Sequence, residues 1–282
     1  VSIGGPPRRC AVLGSPIRHS LSPALHRAAY RHLGLPWRYD AIEVGEADLS
    51  PFVAGLDASW RGLSLTMPLK RAVLALADTR SVRCDVVGAA NTLLLEPSGA
   101  RVVENTDVPG VQGMLATAGV AGLGPVALLG GGATAASVVA ALATPGVPVT
   151  AVVRSAERVA ELMAVAERAG TTLRVERWDD AAVAAALAAP VVVVTLPGDA
   201  AAALAPAVPP QPGTLLDVTY HPWPTTLASA WLRNGGAVVG GLELLVQQAA
   251  EQVRLMTGVS VPVEVLREAG AAGLAAASGR PG

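Results

Sequence analysis

Lys70 is the only lysine in the chain, and it closes the run Gly62-Leu63-Ser64-Leu65-Thr66-Met67-Pro68-Leu69-Lys70. Every other basic side chain, histidine aside, is arginine. The abundance of Ala, Gly, Pro and Val fits a GC-rich gene, which favours Arg codons over Lys codons. A lysine kept against that bias points to work that arginine cannot do. A desolvated ammonium can release its proton near neutral pH, and a guanidinium effectively cannot. Proton transfer is such work. The plainer alternative is one lysine left by chance on a solvated helix, and the neighbourhood has to separate the two.

Other residues could also carry chemistry. Val126-Ala127-Leu128-Leu129 runs into Gly130-Gly131-Gly132-Ala133-Thr134. An apolar strand, glycines and then a helix let backbone N–H groups approach a pyrophosphate. The spacing departs from a strict G-x-G-x-x-G, with Ala135 at the third glycine position, where alanine is tolerated. The next strand ends at Val153, followed by Arg154, Ser155 and Arg158 instead of an acidic residue. Cations and a hydroxyl there suit a 2′-phosphate, hence NADP over NAD; the alternative is ordinary solvated residues at a helix start. Ser20 and Ser22, one residue apart before a helix, can aim hydroxyls at a carboxylate, although Ser22 also reads as a helix N-cap with Pro23 at the first helical position. Asn91 and Asn105 read as turn or strand-end residues, and Asp107 as a helix cap. Thr66, Tyr220 and Gln248 need no function by themselves. His19 and His26 read as structural.

The elements that must position these groups alternate. Strands are expected at Arg9 to Leu13, Tyr39 to Val44 and Gly62 to Thr66, with helices at Pro23 to His32, Ala47 to Leu56 and Leu69 to Ala77. Shorter strands, Ala89 to Leu95 and Arg101 to Glu104, flank a turn, and a helix spans Val108 to Ala118. After the punctuation Gly122-Leu123-Gly124-Pro125 a second alternation begins. Its strands are Val126 to Leu129, Val147 to Val153, Leu173 to Glu176, Pro190 to Thr195, Thr214 to Val218 and Ala237 to Val239. Its helices include Ala133 to Ala143, Ala156 to Ala169 and Thr225 to Arg233, and a proline-rich loop covers Ala205 to Gly213. Helices at Leu242 to Met256 and Val263 to Ala269 close the ordered part. The residues up to Arg8 are expected to fray, and the tail from Ala271 to be loose. Such alternation predicts an α/β protein with mostly parallel sheets. The divisions are 1–106, 107–240 and a C-terminal helical segment, 241–282.

Composition excludes several classes. Net charge is −1 with scattered basic residues, so no stripe suits nucleic acid and no charge run suits a membrane surface. The apolar run from Ala181 to Leu196 contains Pro190 and is too short for a span. Two cysteines, Cys10 and Cys84, make no disulfide framework, and no secretory leader opens the chain. A cytoplasmic protein is expected. No metal site suggests itself.

Several motifs lie along the chain: Gly14-x-Pro16-Ile17-x-His19-Ser20-x-Ser22-Pro23, Ser64-Leu65-Thr66-Met67-Pro68-x-Lys70, Ala90-Asn91-Thr92 and Asn105-Thr106-Asp107-x-x-Gly110. The glycine turn, Asp217-Val218-Thr219-Tyr220 and Gly241-Leu242-x-Leu244-Leu245-x-Gln247-Gln248-Ala249 complete the set. Taken together they resemble the shikimate dehydrogenase family, stand in family order and cover nearly the whole chain. The resemblance implies an N-terminal α/β substrate domain, to which the C-terminal helices return, and a Rossmann domain for NADP(H), with a cleft between. It implies reversible NADPH-dependent reduction of 3-dehydroshikimate to shikimate. Lys70 and Asp107 would form the catalytic pair. Ser20 and Ser22 would take the substrate carboxylate. Thr66, Asn91, Asp107 and Gln248 would hold hydroxyls, with Tyr220 nearby. Gly130, Gly131, Gly132, Ala133 and Thr134 would cradle the pyrophosphate, and Arg154, Ser155 and Arg158 the 2′-phosphate. Thr195 and the Gly241 backbone would lie beside the cofactor.

The sequence departs from the family at Ala133-Thr134, Val153, Glu243 and Leu244. Quinate/shikimate and aminoshikimate dehydrogenases are close alternatives, and a non-catalytic NADP- or shikimate-binding regulator is an alternative of another class. Small molecules are the expected partners, with no nucleic acid and no membrane; the chain would be a monomer or homodimer.

Overall fold

From Cys10 to Gly14 every residue is buried, the pattern of a strand covered on both faces. The computed structural model describes residues 6–120, 124–143 and 146–278. The chain divides into two units: the first ends at Thr106 and resumes at Leu245, and the second is Asp107–Leu244.

The first unit begins with β1 (Arg9–Gly14), α1 (Ser22–His32), β2 (Arg38–Glu43), α2 (Glu46–Ala54) and β3 (Trp60–Leu65). Then come α3 (Leu69–Ala72), β4 (Thr79–Arg80), α4 (Val82–Val87), β5 (Thr92–Leu95) and β6 (Arg101–Glu104). Its sheet has the order β2-β1-β3-β5-β6-β4. β1 runs parallel to β2 and β3, while β5 is antiparallel to β3 and β6. Ser64 pairs with Thr92 across β3 and β5. The start of β5 therefore lies at the same sheet edge as the end of β3.

The second unit holds α5 (Asp107–Thr117), β7 (Val126–Leu129), α6 (Ala133–Ala143), β8 (Val149–Val153), α7 (Ala156–Ala169) and β9 (Leu173–Arg177). It continues with α8 (Asp180–Leu187), β10 (Val191–Val194), α9 (Gly198–Ala202), β11 (Thr214–Asp217), α10 (Thr226–Arg233) and β12 (Ala237–Gly240). All its strands are parallel, in the order β12-β11-β10-β7-β8-β9. That is the dinucleotide-binding order, with its reversal between β7 and β10. The four valines of β10 are all buried, as a central parallel strand requires. Local signals set the helix starts: Asp179 caps α8 by accepting from Ala182 N at 2.8 Å, and Thr225 caps α10 by accepting from Ala228 N at 3.0 Å. Each cap contributes about 1 kcal/mol.

Two helices end the chain, α11 (Gly241–Thr257) and α12 (Val263–Ser278). From Leu245 onward they belong to the first unit. There α12 packs on α1. Arg83 of α4 reaches Glu104 of β6 at 3.2 Å and Glu251 of α11 at 3.7 Å. Hydrogen bonds from Arg254 hold the Glu251 carboxyl below its ordinary pKa.

Several expectations are corrected. Helix α12 continues to Ser278 in the stretch expected to be loose from Ala271, because its alanine-rich sequence is strongly helix-forming; residues 279–282 of that stretch lie outside the described residues. The helix expected over Leu69 to Ala77 is α3 followed by a 3-10 turn, Val73–Leu76. Ser22 is not a cap: α1 starts at Ser22 and the cap position is Leu21, with no side-chain bond. Asp107 is likewise inside the first turn of α5. Helix α9 and a short 3-10 turn, Ala205–Ala207, occupy the region around the proline-rich loop. Of the segment expected to fray, residues 1–5 lie outside the described residues, whereas Arg8 donates to Ala58 O at 2.6 Å. The first half of the Gly122 to Pro125 punctuation also lies outside them. Among the described residues no helix is long and apolar enough to cross a membrane.

Candidate active site

In the first unit the expected residues gather at the edge where β1 and β3 end and β5 begins. The turn after β1 meets the turn after β3 through Ser15 N donating to Met67 O at 3.0 Å. Thr66 is held there by its N–H to Leu13 O, 2.9 Å, and accepts Leu69 N at 2.8 Å. Lys70 follows on α3, half-buried. Its main-chain oxygen accepts Ala90 N at 2.8 Å, so the segment carrying Lys70 is tied to the segment carrying Asn91.

Asn91 is buried, and its Oδ1 accepts Thr106 N at 2.8 Å, Thr106 Oγ1 at 3.1 Å and Thr92 Oγ1 at 3.2 Å. Three donors on that oxygen turn the amide nitrogen the other way, where Nδ2 donates to Gln248 Oε1 at 3.0 Å. Asp107, buried, follows directly on the clamped Thr106. Ser20 Oγ accepts Ser22 N at 3.3 Å. Ser22 is buried. The structure therefore brings Asn91 and Gln248 into contact, and places Ser20 beside Ser22.

The sequence reading missed a set of buried groups beneath these residues. Tyr39 Oη donates to Ser64 Oγ at 2.6 Å, and Ser64 Oγ donates to Gln252 Oε1 at 2.8 Å. His26 Nε2 lies 3.2 Å from the same oxygen. The His26 ring stacks on Tyr39 with centroids 3.9 Å apart. Burial pushes the His26 pKa down to about 3 and raises the Tyr39 phenol above its ordinary value. The available signal was spacing: Gln252 lies four residues after Gln248, on the same helix face.

In the second unit the expected cofactor residues also lie at the C-terminal ends of strands. Gly130 follows β7 and Thr195 follows β10, the two strands at the reversal of order. Thr195 Oγ1 donates to Leu129 O at 3.3 Å and fills the space a Cβ on Gly130 would need. Gly130 has φ +129°, a conformation suited to glycine. A Cβ on Gly131 would lie 2.8 Å from Arg158 Cβ. Gly132 is exposed with open space around it, and Ala133 and Thr134 open α6. This is a backbone cradle that side chains would fill, and it fits a pyrophosphate at a helix start.

Beyond β8, Arg154 lies over Trp178 and Arg158 pairs with Glu161 at 2.7 Å. Ser155 occupies the cap position of α7 without using its hydroxyl for capping. Asp217 is fully buried; it accepts Thr219 N at 3.0 Å and Thr225 Oγ1 at 2.7 Å, which shapes the loop carrying Tyr220. Tyr220 is half-buried, and desolvation raises its pKa. Gly241 donates its N–H to Thr219 O at 3.1 Å, and the Val218 carbonyl leaves no room there for a side chain. Among the described residues no cluster of His, Cys, Asp or Glu could hold a metal ion.

Known proteins share this plan. A family model described as the shikimate dehydrogenase substrate binding domain matches residues 12–93, and one described as the shikimate 5'-dehydrogenase C-terminal domain matches residues 241–269. A shikimate dehydrogenase (NADP(+)) from Methylobacterium radiotolerans is 36% identical over 251 residues, covering 86% of this chain and 88% of the relative. The chain belongs to the shikimate dehydrogenase family. Among solved family structures, Mycobacterium tuberculosis shikimate dehydrogenase has a TM-score of 0.84 at 44% identity, covering 94% of this chain and 99% of that one. Shikimate 5-dehydrogenase from Thermus thermophilus in complex with NADP(H) and shikimate has a TM-score of 0.81 at 32% identity, covering 95% and 100%. The substrate-binding model of the family spans Ser20, Ser22, Thr66, Lys70 and Asn91, and the C-terminal model spans Gly241, Gln248 and Gln252.

Proposed function

We propose that this shikimate dehydrogenase catalyses the reversible, NADP-dependent reduction of 3-dehydroshikimate to shikimate. The observation that carries the reading is a shelf of hydroxyl and amide groups beside the only lysine, at one edge of the first sheet. Serine hydroxyls, as at Ser20 and Ser22, suit a carboxylate. The amides of Asn91 and Gln248, with Thr66, suit ring hydroxyls, and Tyr220 stands with them in the family pattern. NADPH, when bound, supplies the hydride. In the reduction Lys70 would deliver a proton or a hydrogen bond to the oxygen that gains charge, with Asp107 as its partner; in the reverse direction the pair would take up the hydroxyl proton.

The cradle at Gly130, Gly131, Gly132, Ala133 and Thr134 would hold the pyrophosphate, with Thr195 and the Gly241 backbone beside the cofactor. Arg154, Ser155 and Arg158 would meet the 2′-phosphate, since cations and a free hydroxyl at this strand end match that group. In this reading residues 1–106 form the substrate and catalytic domain, 107–240 the NADP domain, and 241–282 the helices that return to the former. A monomer or homodimer in the cytoplasm is in keeping with water-soluble ligands and two buried free cysteines.

The test is a steady-state panel of shikimate, quinate and aminoshikimate, each with NADP+ and NAD+. Shikimate with NADP+ should have the highest kcat/KM. A higher value for quinate with NAD+, or for aminoshikimate, would reassign the substrate, and no turnover with any pair would leave a binding protein.

A further inference from the structure

The buried hydrogen bonds of the first unit form one chain with a direction. Its start is the buried Tyr39 phenol. Tyr39 donates to Ser64, and Ser64 donates to Gln252 Oε1. His26 Nε2, also on that oxygen, adds a second donor when its ring carries the proton there. Because Gln252 Oε1 receives, the other end of the amide must give: Gln252 Nε2 donates to Asn91 O at 3.2 Å and to Thr92 Oγ1 at 3.0 Å. Thr92 Oγ1 in turn donates to Asn91 Oδ1. Asn91 Nδ2 then gives to Gln248 Oε1, which leaves Gln248 its own amide donors. Gln252 is buried, 4% exposed, at a position where an aliphatic side chain could pack. A fully bonded amide there does what an aliphatic side chain cannot: it imposes an orientation on its neighbours.

We infer that Gln252 is a positioning residue, whose amide, together with the Thr106 N–H on Asn91 Oδ1, sets the polarity of a hydrogen-bond chain from Tyr39 to Gln248 and so orients the Asn91 and Gln248 amides toward substrate oxygens. This rests on the reading that Asn91 and Gln248 hold the substrate. Gln252 acts on them through Thr92 and the Asn91 main chain. Its contribution is geometric, so its loss should weaken substrate binding while sparing the cofactor.

The experiment compares three variants of the full chain with shikimate and NADP+. Gln252→Met fills the same volume without the amide, and should raise KM for shikimate about tenfold or more while KM for NADP+ stays within about twofold. Thr92→Val breaks the link between Gln252 and Asn91 Oδ1, and should move the same constant in the same direction by a smaller factor. A Gln252→Met protein that only melts earlier, with KM for shikimate within about twofold of the parent, overturns the inference. Should Gln252→Met not fold, Thr92→Val decides by the same criterion. Asn91→Ala separates the two levels of the argument. If it leaves KM for shikimate unchanged, the substrate-site reading itself falls. If it impairs binding while the other two variants do not, only the positioning role falls.

Discussion

The guanidinium of Arg154 lies over the indole of Trp178, 4.4 Å from the ring centroid. Such stacking holds a cation in place without neutralising it. Arg154→Ala should raise KM for NADP+ about tenfold or more and leave KM for NAD+ within about twofold, because only NADP+ carries the extra phosphate. Trp178→Leu should act in the same direction more weakly. Steady-state kinetics with both cofactors checks this, and an Arg154→Ala enzyme that keeps its NADP+ preference would place the phosphate elsewhere.

Lys70 is anchored by its main chain to Ala90, so truncating its side chain removes chemistry and spares that link. Lys70→Ala and Asp107→Ala should each lower kcat about a hundredfold or more, with cofactor affinity little changed. Lys70→Arg keeps the charge but cannot release a proton, and should stay strongly impaired if proton transfer is the role. Near-parental turnover in Lys70→Ala would remove Lys70 from the reaction.

Gly130 combines a positive φ with no room for a side chain beside Thr195. Gly130→Ala should cost about 1–3 kcal/mol of stability and weaken NADP+ binding, because the turn must open where the pyrophosphate would sit. Urea unfolding and cofactor titration test the two effects separately; unchanged NADP+ affinity would dissociate this turn from the cofactor.

His26 makes stability depend on pH. Unfolded, its imidazole titrates near the ordinary 6.5; folded, burial holds it at about 3. Between those values the unfolded chain binds a proton that the native state does not, so acid favours unfolding. Stability should fall by about 2 kcal/mol from about pH 7 to about pH 5 through this group alone. His26→Asn should flatten that slope while lowering stability at neutral pH. Urea unfolding at both pH values provides the measurement, and an equal slope in the variant would contradict it.

The second unit was the more legible in sequence. Ala133–Ala143 and Ala156–Ala169 coincide with the expected helices, because apolar strands and glycine turns punctuate them. The first unit concealed more. β4 and α4 are too short for periodicity to register, and Val82 of α4 is largely exposed. Lys70 stood out by composition, whereas Gln252 did not. Its importance comes from Ser64, Thr92 and His26, partners distant in sequence that no local pattern connects. Asp217 stands in one of the family motifs, yet its hydrogen bonds with Thr219 and Thr225 serve the loop and the start of α10.

Helix α11 begins in one unit and continues in the other, with the division between Leu244 and Leu245. The first unit thus waits for its last elements until the whole second unit has left the ribosome. Until α11 arrives, Ser64, Thr92 and His26 lack Gln252 as a partner. Along the chain the nucleotide-binding unit is therefore complete before its substrate-binding companion has received its last helices.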